Sequence, residues 1–166
     1  MARAIMGGTV RKVNERCLDF EFLGLIRWGN ARRWIMHDHR NADVAKVWDS
    51  ILKSDSEPIA GLRGKPGTAT PLYTKLFKKK GVYVIQDSSG RVVYVGISGN
   101  GDKEGSLADR LWSHSSPSST INRRFVPRGL KVADCTVRVH VEPNSRTRRR
   151  IEKYGIAVFD PPGNED

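Results

Sequence analysis

Cysteine is nearly absent from the 166-residue chain: Cys17 and Cys135 stand alone, with no Cys-x-x-Cys pair. That spacing gives no support to a disulfide framework or a zinc finger. Acidic side chains are also scarce, 18 Asp and Glu against 29 Lys and Arg, for a net charge of +11. No run approaches the roughly 18 apolar residues that span a bilayer, and the N-terminus lacks the basic-then-apolar pattern of a secretory leader. The expectation is a cytoplasmic protein with no membrane partner. The glycines of "GISGNGDKEG" do not lead into Gly-Lys-Ser/Thr, so no phosphate loop is read there and no small-molecule cofactor is expected.

What is present is positive charge on a globular background. With 38% hydrophobic and 28% charged residues, the chain is a soluble domain, or a compact domain with an extension, long enough to bury its own core. Such a charge excess favours a polyanion, most often nucleic acid. It is concentrated: residues 121–153 carry ten Lys or Arg against three acids. Arg123, Arg124, Arg128, Arg148 and Arg149 in this stretch are candidates for phosphate contact. Nearer the N-terminus, "LIRWGNARRWIMHDHR" interleaves Trp28 and Trp34 with Arg27, Arg32, Arg33 and Arg40. Arginine beside tryptophan suits stacking and phosphate contact, although tryptophan is more often core.

Periodicity divides the chain into an N-terminal extension, 1–75, and a second unit, 76–166. In the extension the clearest element is a helix over 41–54, with Val44, Val47, Trp48, Ile51 and Leu52 on one face. "PIAGLRGKPGTATP", 58–71, reads as a loop or linker. In the second unit "GVYVIQDSSGRVVYVG", 81–96, reads as a hairpin. A two- or four-residue loop centred on Ser88 and Ser89 sets Tyr83 directly opposite Tyr94. "SLADRLWSH" is a helix with Ser106 and Asp109 as a capping box. "SHSSPSSTINRR" reads as a serine-rich loop, 135–141 as a third strand, and 145–156 as a helix capped by Asn144. The predicted fold class is α+β, a small three-stranded antiparallel sheet flanked by helices behind a partly helical extension.

The same segments carry a resemblance. Gly81-Val82-Tyr83 and Tyr94-Val95-Gly96 resemble the two halves of the GIY-YIG nuclease signature, with valine for isoleucine in both. Downstream, Arg110 and His114 match the family's arginine followed four residues later by histidine or tyrosine. Glu152 resembles its metal-binding glutamate, and Asn164 in "PPGN" its closing asparagine. The resemblance covers about 78–166 and implies a Mg²⁺-dependent (or Mn²⁺-dependent) DNA endonuclease with one ion per active site. It implies Tyr83 as general base and Tyr94 as the hydroxyl that orients water or phosphate, or the reverse.

Elementary chemistry fits those residues. Arg110 can give bidentate bonds to non-bridging phosphate oxygens, and His114, four residues on, shares its helix face. One carboxylate, Glu152, suffices for an ion that keeps most of its waters. Two departures stand out: Gly155 is expected to weaken or kink the last helix, and Ile97 supplies no extra cation after the second signature half. A catalytic half placed last resembles the small restriction endonucleases of the family, which implies double-stranded DNA as partner, a sequence-specific cut and a two-fold homodimer. The residues 1–75 would then supply DNA contact, specificity or dimer contacts. The alternatives are a phage, homing or structure-directed repair nuclease, or a non-catalytic nucleic-acid-binding module of the same fold.

Overall fold

The computed structural model describes residues 40–62, 69–99 and 105–164. Cys17, Arg27, Trp28, Arg32, Arg33 and Trp34 lie outside the described residues. The architecture is α+β, a four-stranded antiparallel sheet in the order β1-β4-β2-β3 with helices on both faces. The strands are β1 (Glu57–Pro58), β2 (Gly81–Gln86), β3 (Val92–Ile97) and β4 (Thr136–Val141). The helices are α1 (Arg40–Lys53), α2 (Pro71–Leu76), α3 (Leu107–His114), α4 (Thr120–Phe125) and α5 (Ser145–Phe159). The sheet has one strand more than the sequence predicts, the two-residue β1 paired to Val137 and Thr136 of β4. So short a strand has no readable periodicity.

The two faces of the sheet carry separate cores. On one, Tyr83, Ile85, Val93 and Val137 pack against α2, α3 and α4 through Leu72, Leu76, Leu107, Leu111, Ile121 and Phe125. On the other, Val82, Val84, Val92 and Val95 meet Val44, Trp48 and Ile51 of α1 and Ile151, Tyr154 and Val158 of α5. Central β2 is therefore buried at all six positions, and its unbroken apolar text reflects coverage on both sides. Packing does not break at 75/76. The segment read as a linker begins with β1 and a 3-10 turn whose Ile59 and Leu62 are fully buried in the first core. The serine-rich "loop" likewise contains α4, capped by Ser119 accepting from the Asn122 amide at 3.2 Å.

The hairpin register differs from the predicted one. Tyr83 pairs with Gly96, and Tyr94 with Ile85. Asp87 and Arg91 close the loop: the Asp87 amide donates to the Arg91 carbonyl at 3.0 Å, and Gly90 takes the left-handed position at φ 82°. This three-residue loop moves the register by one, and a bulge at Ile85/Gln86 moves it by one more. A single slip would turn every side chain over; two slips restore the face. Both tyrosines thus stay on the side of the sheet that α3 covers, as diagonal neighbours with ring centroids 6.0 Å apart.

Gly155 does not break α5, which runs on to Phe159. A Cβ there would stand 2.0 Å from Trp48 Cζ2, so the glycine leaves the indole room against the helix. The Trp48 indole N–H then donates to the Ile151 carbonyl at 2.9 Å.

Candidate active site

Helices α3 and α5 lie on opposite faces of the sheet and approach each other past its β3 edge. Between them is a cavity of about 300 Å³, lined by Tyr94, Ile97, Gly99, Gly105, Asp109, Arg110, Ser113 and Glu152. Arg110 reaches it because the capping box fixes the start of α3. Ser106 accepts from the Asp109 amide at 3.3 Å, while the Asp109 carboxylate accepts from the Ser106 amide at 2.7 Å. Capped this way, α3 turns Arg110 and His114 toward the tyrosines.

Tyr83 is fully buried, and its hydroxyl is 2.6 Å from His114 Nε2. The His114 ring also meets Tyr94 edge-on at 5.4 Å between centroids. Burial, with the Arg110 charge second, lowers the His114 pKa to about 4, so the imidazole is neutral at neutral pH. Burial and the neighbouring Tyr94 push the Tyr83 phenol well above its ordinary value, against the pull of Arg110. Burial works against the Arg110 charge, but its interactions with Tyr83 and then Tyr94 together outweigh it and raise its pKa.

Gly96 makes the arrangement possible. A Cβ on it would stand 2.4 Å from the Tyr83 hydroxyl and 2.8 Å from Tyr94 Cε1. Only a glycine opposite Tyr83 lets that ring cross β3. Gly81, the other signature glycine, admits the His140 carbonyl, 2.1 Å from where its Cβ would be.

Glu152 enters the cavity from α5. Desolvation raises its pKa, with Arg110, Arg149 and Lys153 pulling it back. Among the described residues no group of three or more His, Cys, Asp or Glu is gathered. A divalent ion in this cavity would take Glu152 as its protein ligand and fill its shell with water and phosphate oxygens. That fits Mg²⁺, which sheds water reluctantly.

Asn164 does not line the cavity. Its amide pairs with the Val95 backbone, accepting from the amide and donating to the carbonyl, each at 2.8 Å. The Gly163 amide donates to the Val93 carbonyl at 2.9 Å, so the C-terminal segment covers the free edge of β3 around Tyr94. An unpaired edge needs such protection.

The arginines of the basic stretch separate into different roles. Arg148 is 3% exposed, and the reading of it as a nucleic-acid contact is corrected. Its guanidinium donates to the carbonyls of Glu142 at 2.8 Å, Pro143 at 2.7 Å and Gly99. Through Nη1 and Nη2 it ties α5 to the loop after β3, while its Nε is buried without a hydrogen-bond partner. Half-buried Arg124 donates to the Gly163 carbonyl at 3.0 Å and holds the C-terminal segment. Arg123, Arg128 and Arg149 are exposed. Arg149 lies in a surface cleft with Arg146, Arg150 and Lys153 along α5.

Asp109 and Ser113 were missed by the sequence reading as parts of the cavity wall. Asp109 was legible only as a cap, and nothing in the text of α3 marks its second side. Compared with models of known protein families and with curated proteins, the chain matches none. Among the described residues no helix is long and apolar enough to cross a membrane.

Proposed function

We propose that the chain is a Mg²⁺-dependent DNA endonuclease of the GIY-YIG kind, hydrolysing phosphodiester bonds in the cavity between α3 and α5. The observation that carries this reading is the convergence of Tyr94, Arg110 and Glu152 from three separate elements on one cavity, over the buried Tyr83 and His114 pair.

The roles follow from position. Tyr94, on the cavity wall, is the phenol that meets the attacking water. Tyr83 stays protonated at neutral pH and has no exposed surface. Its lack of exposed surface favours the second of the two assignments that the resemblance leaves open, with Tyr94 at the water and Tyr83 a positioning group joined to neutral His114. Arg110 binds a non-bridging oxygen and stabilises the charge that develops there. Glu152 holds the ion. When bound, Mg²⁺ supplies a Lewis acid for the phosphoryl group and the departing oxygen. Asn164 keeps the edge of β3 in place and does not touch the reacting atoms.

The exposed Arg123, Arg128 and Arg149 supply phosphate contacts. A restriction-type, sequence-specific cut by a two-fold dimer is the finer form of the reading, with phage, homing and structure-directed repair nucleases as its alternatives. The test is nicking and linearisation of supercoiled plasmid with Mg²⁺, with EDTA, and with Glu152→Ala. DNA binding without Mg²⁺-dependent cutting sinks the enzyme reading in favour of a binding module. One short sequence at every cut end would establish the restriction type.

A further inference from the structure

A cluster of aromatic residues beside the cavity has no part in the cleavage chemistry. Phe77 and Trp112 are 46% and 41% exposed. The Tyr73 ring stacks on Phe77 with centroids 5.9 Å apart and an angle of 26°. It meets Trp112 edge-on, again at 5.9 Å, with an angle of 80°. Lys78 brings its ammonium to 5.6 Å from the Phe77 ring centre. It does so from a left-handed backbone, φ 58°, a conformation disfavoured for any residue with a Cβ. Lys79 is exposed beside it.

The cluster is anchored to the cavity wall. The Tyr73 hydroxyl donates to Asp109 Oδ1 at 2.8 Å, and Asp109 and Ser113, which line the cavity, stand on either side of Trp112 along α3. Trp112 is thus an exposed ring braced edge-on by Tyr73, one residue away from a cavity position.

We propose that Tyr73, Phe77 and Trp112 form a platform on which unpaired nucleobases stack while a phosphate of the same strand occupies the cavity. The favoured substrate then carries unpaired nucleotides next to the cut. Every base has a π face, and exposed aromatic rings among cations hold single strands without reading their sequence. The lysines around the rings complement a phosphate backbone. The inference rests on the nuclease reading and favours its structure-directed form over the restriction type.

The test is fluorescence anisotropy with the full chain, in Ca²⁺ in place of Mg²⁺. The probes are a labelled fully paired duplex and the same duplex with a short single-stranded tail. Stacking predicts tighter binding of the tailed probe by about tenfold, a preference lost in Trp112→Ala and Phe77→Ala and largely kept in Trp112→Phe. Thermal melting checks that each variant folds. As a readout independent of the alanine variants, adding a thymidine oligonucleotide should quench tryptophan fluorescence in the wild type more than in Trp112→Phe. Absence of a tail preference in the wild type, or its survival in both alanine variants, overturns the platform and leaves the nuclease reading intact. Failure to bind either probe, together with no plasmid cutting, overturns the nuclease reading and the platform with it.

Discussion

Replacing His114 by glutamine should remove a block of acid sensitivity from the fold. His114 is buried against Tyr83, Tyr94 and Arg110, and its pKa falls from 6.5 to about 4. In the unfolded chain the imidazole takes up a proton near pH 6.5, while in the folded protein it does not until about pH 4. The unfolded state therefore binds more protons across that window. Stability from this group is fully present above pH 6.5 and is lost as the pH falls toward 4. At about 1.4 kcal/mol per pKa unit, the difference is roughly 3 kcal/mol. Glu152 acts in the opposite sense: its folded pKa is raised, so its contribution falls as pH rises above the unfolded carboxylate value. The informative quantity is accordingly the wild type minus His114→Gln, which leaves the Glu152 contribution in both. Glutamine can present a polar atom near the position of Nε2 and retain a bond to the Tyr83 hydroxyl. Urea unfolding at pH 4.5 and 7 should show the wild type losing about 2 to 3 kcal/mol more than the variant. Parallel loss in the two proteins would refute the account of a buried, neutral imidazole.

Gly96→Ala puts a methyl group into the Tyr83 hydroxyl and should cost about 1 to 3 kcal/mol as an overpacked core site; thermal melting measures this, and plasmid cutting should fall with it. Arg148→Ala should cost about 2 to 3 kcal/mol by removing three charge-assisted bonds and leaving the buried Gly99 carbonyl without its donor, read in urea unfolding. Arg149→Ala should instead leave stability within about 0.5 kcal/mol and reduce the salt slope of DNA binding by about 1. Asn164→Ala removes both bonds to Val95, about 1 to 2 kcal/mol together, and should lower kcat more than it raises KM, because Tyr94 loses its support and no substrate contact is removed.

The fold class and most elements were legible because they depend on local rules. Helix α3 follows from a Ser106 and Asp109 capping box, α5 from its Asn144 cap, and β2 from an apolar run too short for a helix. The face shared by Tyr83 and Tyr94 was also legible, since parity along a strand survives an even change of register. The register itself was not, because a glycine in the left-handed position and a bulge each add one residue in ways the alternation does not record.

Burial is the other quantity that sequence withholds. Arg148 and Arg149 read alike, yet the helical turn points one inward at three backbone carbonyls and the other at solvent. Gly155 reads as a helix breaker until the Trp48 ring, more than a hundred positions away, is seen against it. The sequence by itself determined which phenols, guanidinium and carboxylate are available to the site and which faces they share, because spacing and capping act within a few residues. Only the tertiary structure decided which phenol meets the cavity, which stays buried and protonated, and which arginines hold the protein together. Those outcomes depend on desolvation and on groups brought together from distant parts of the chain.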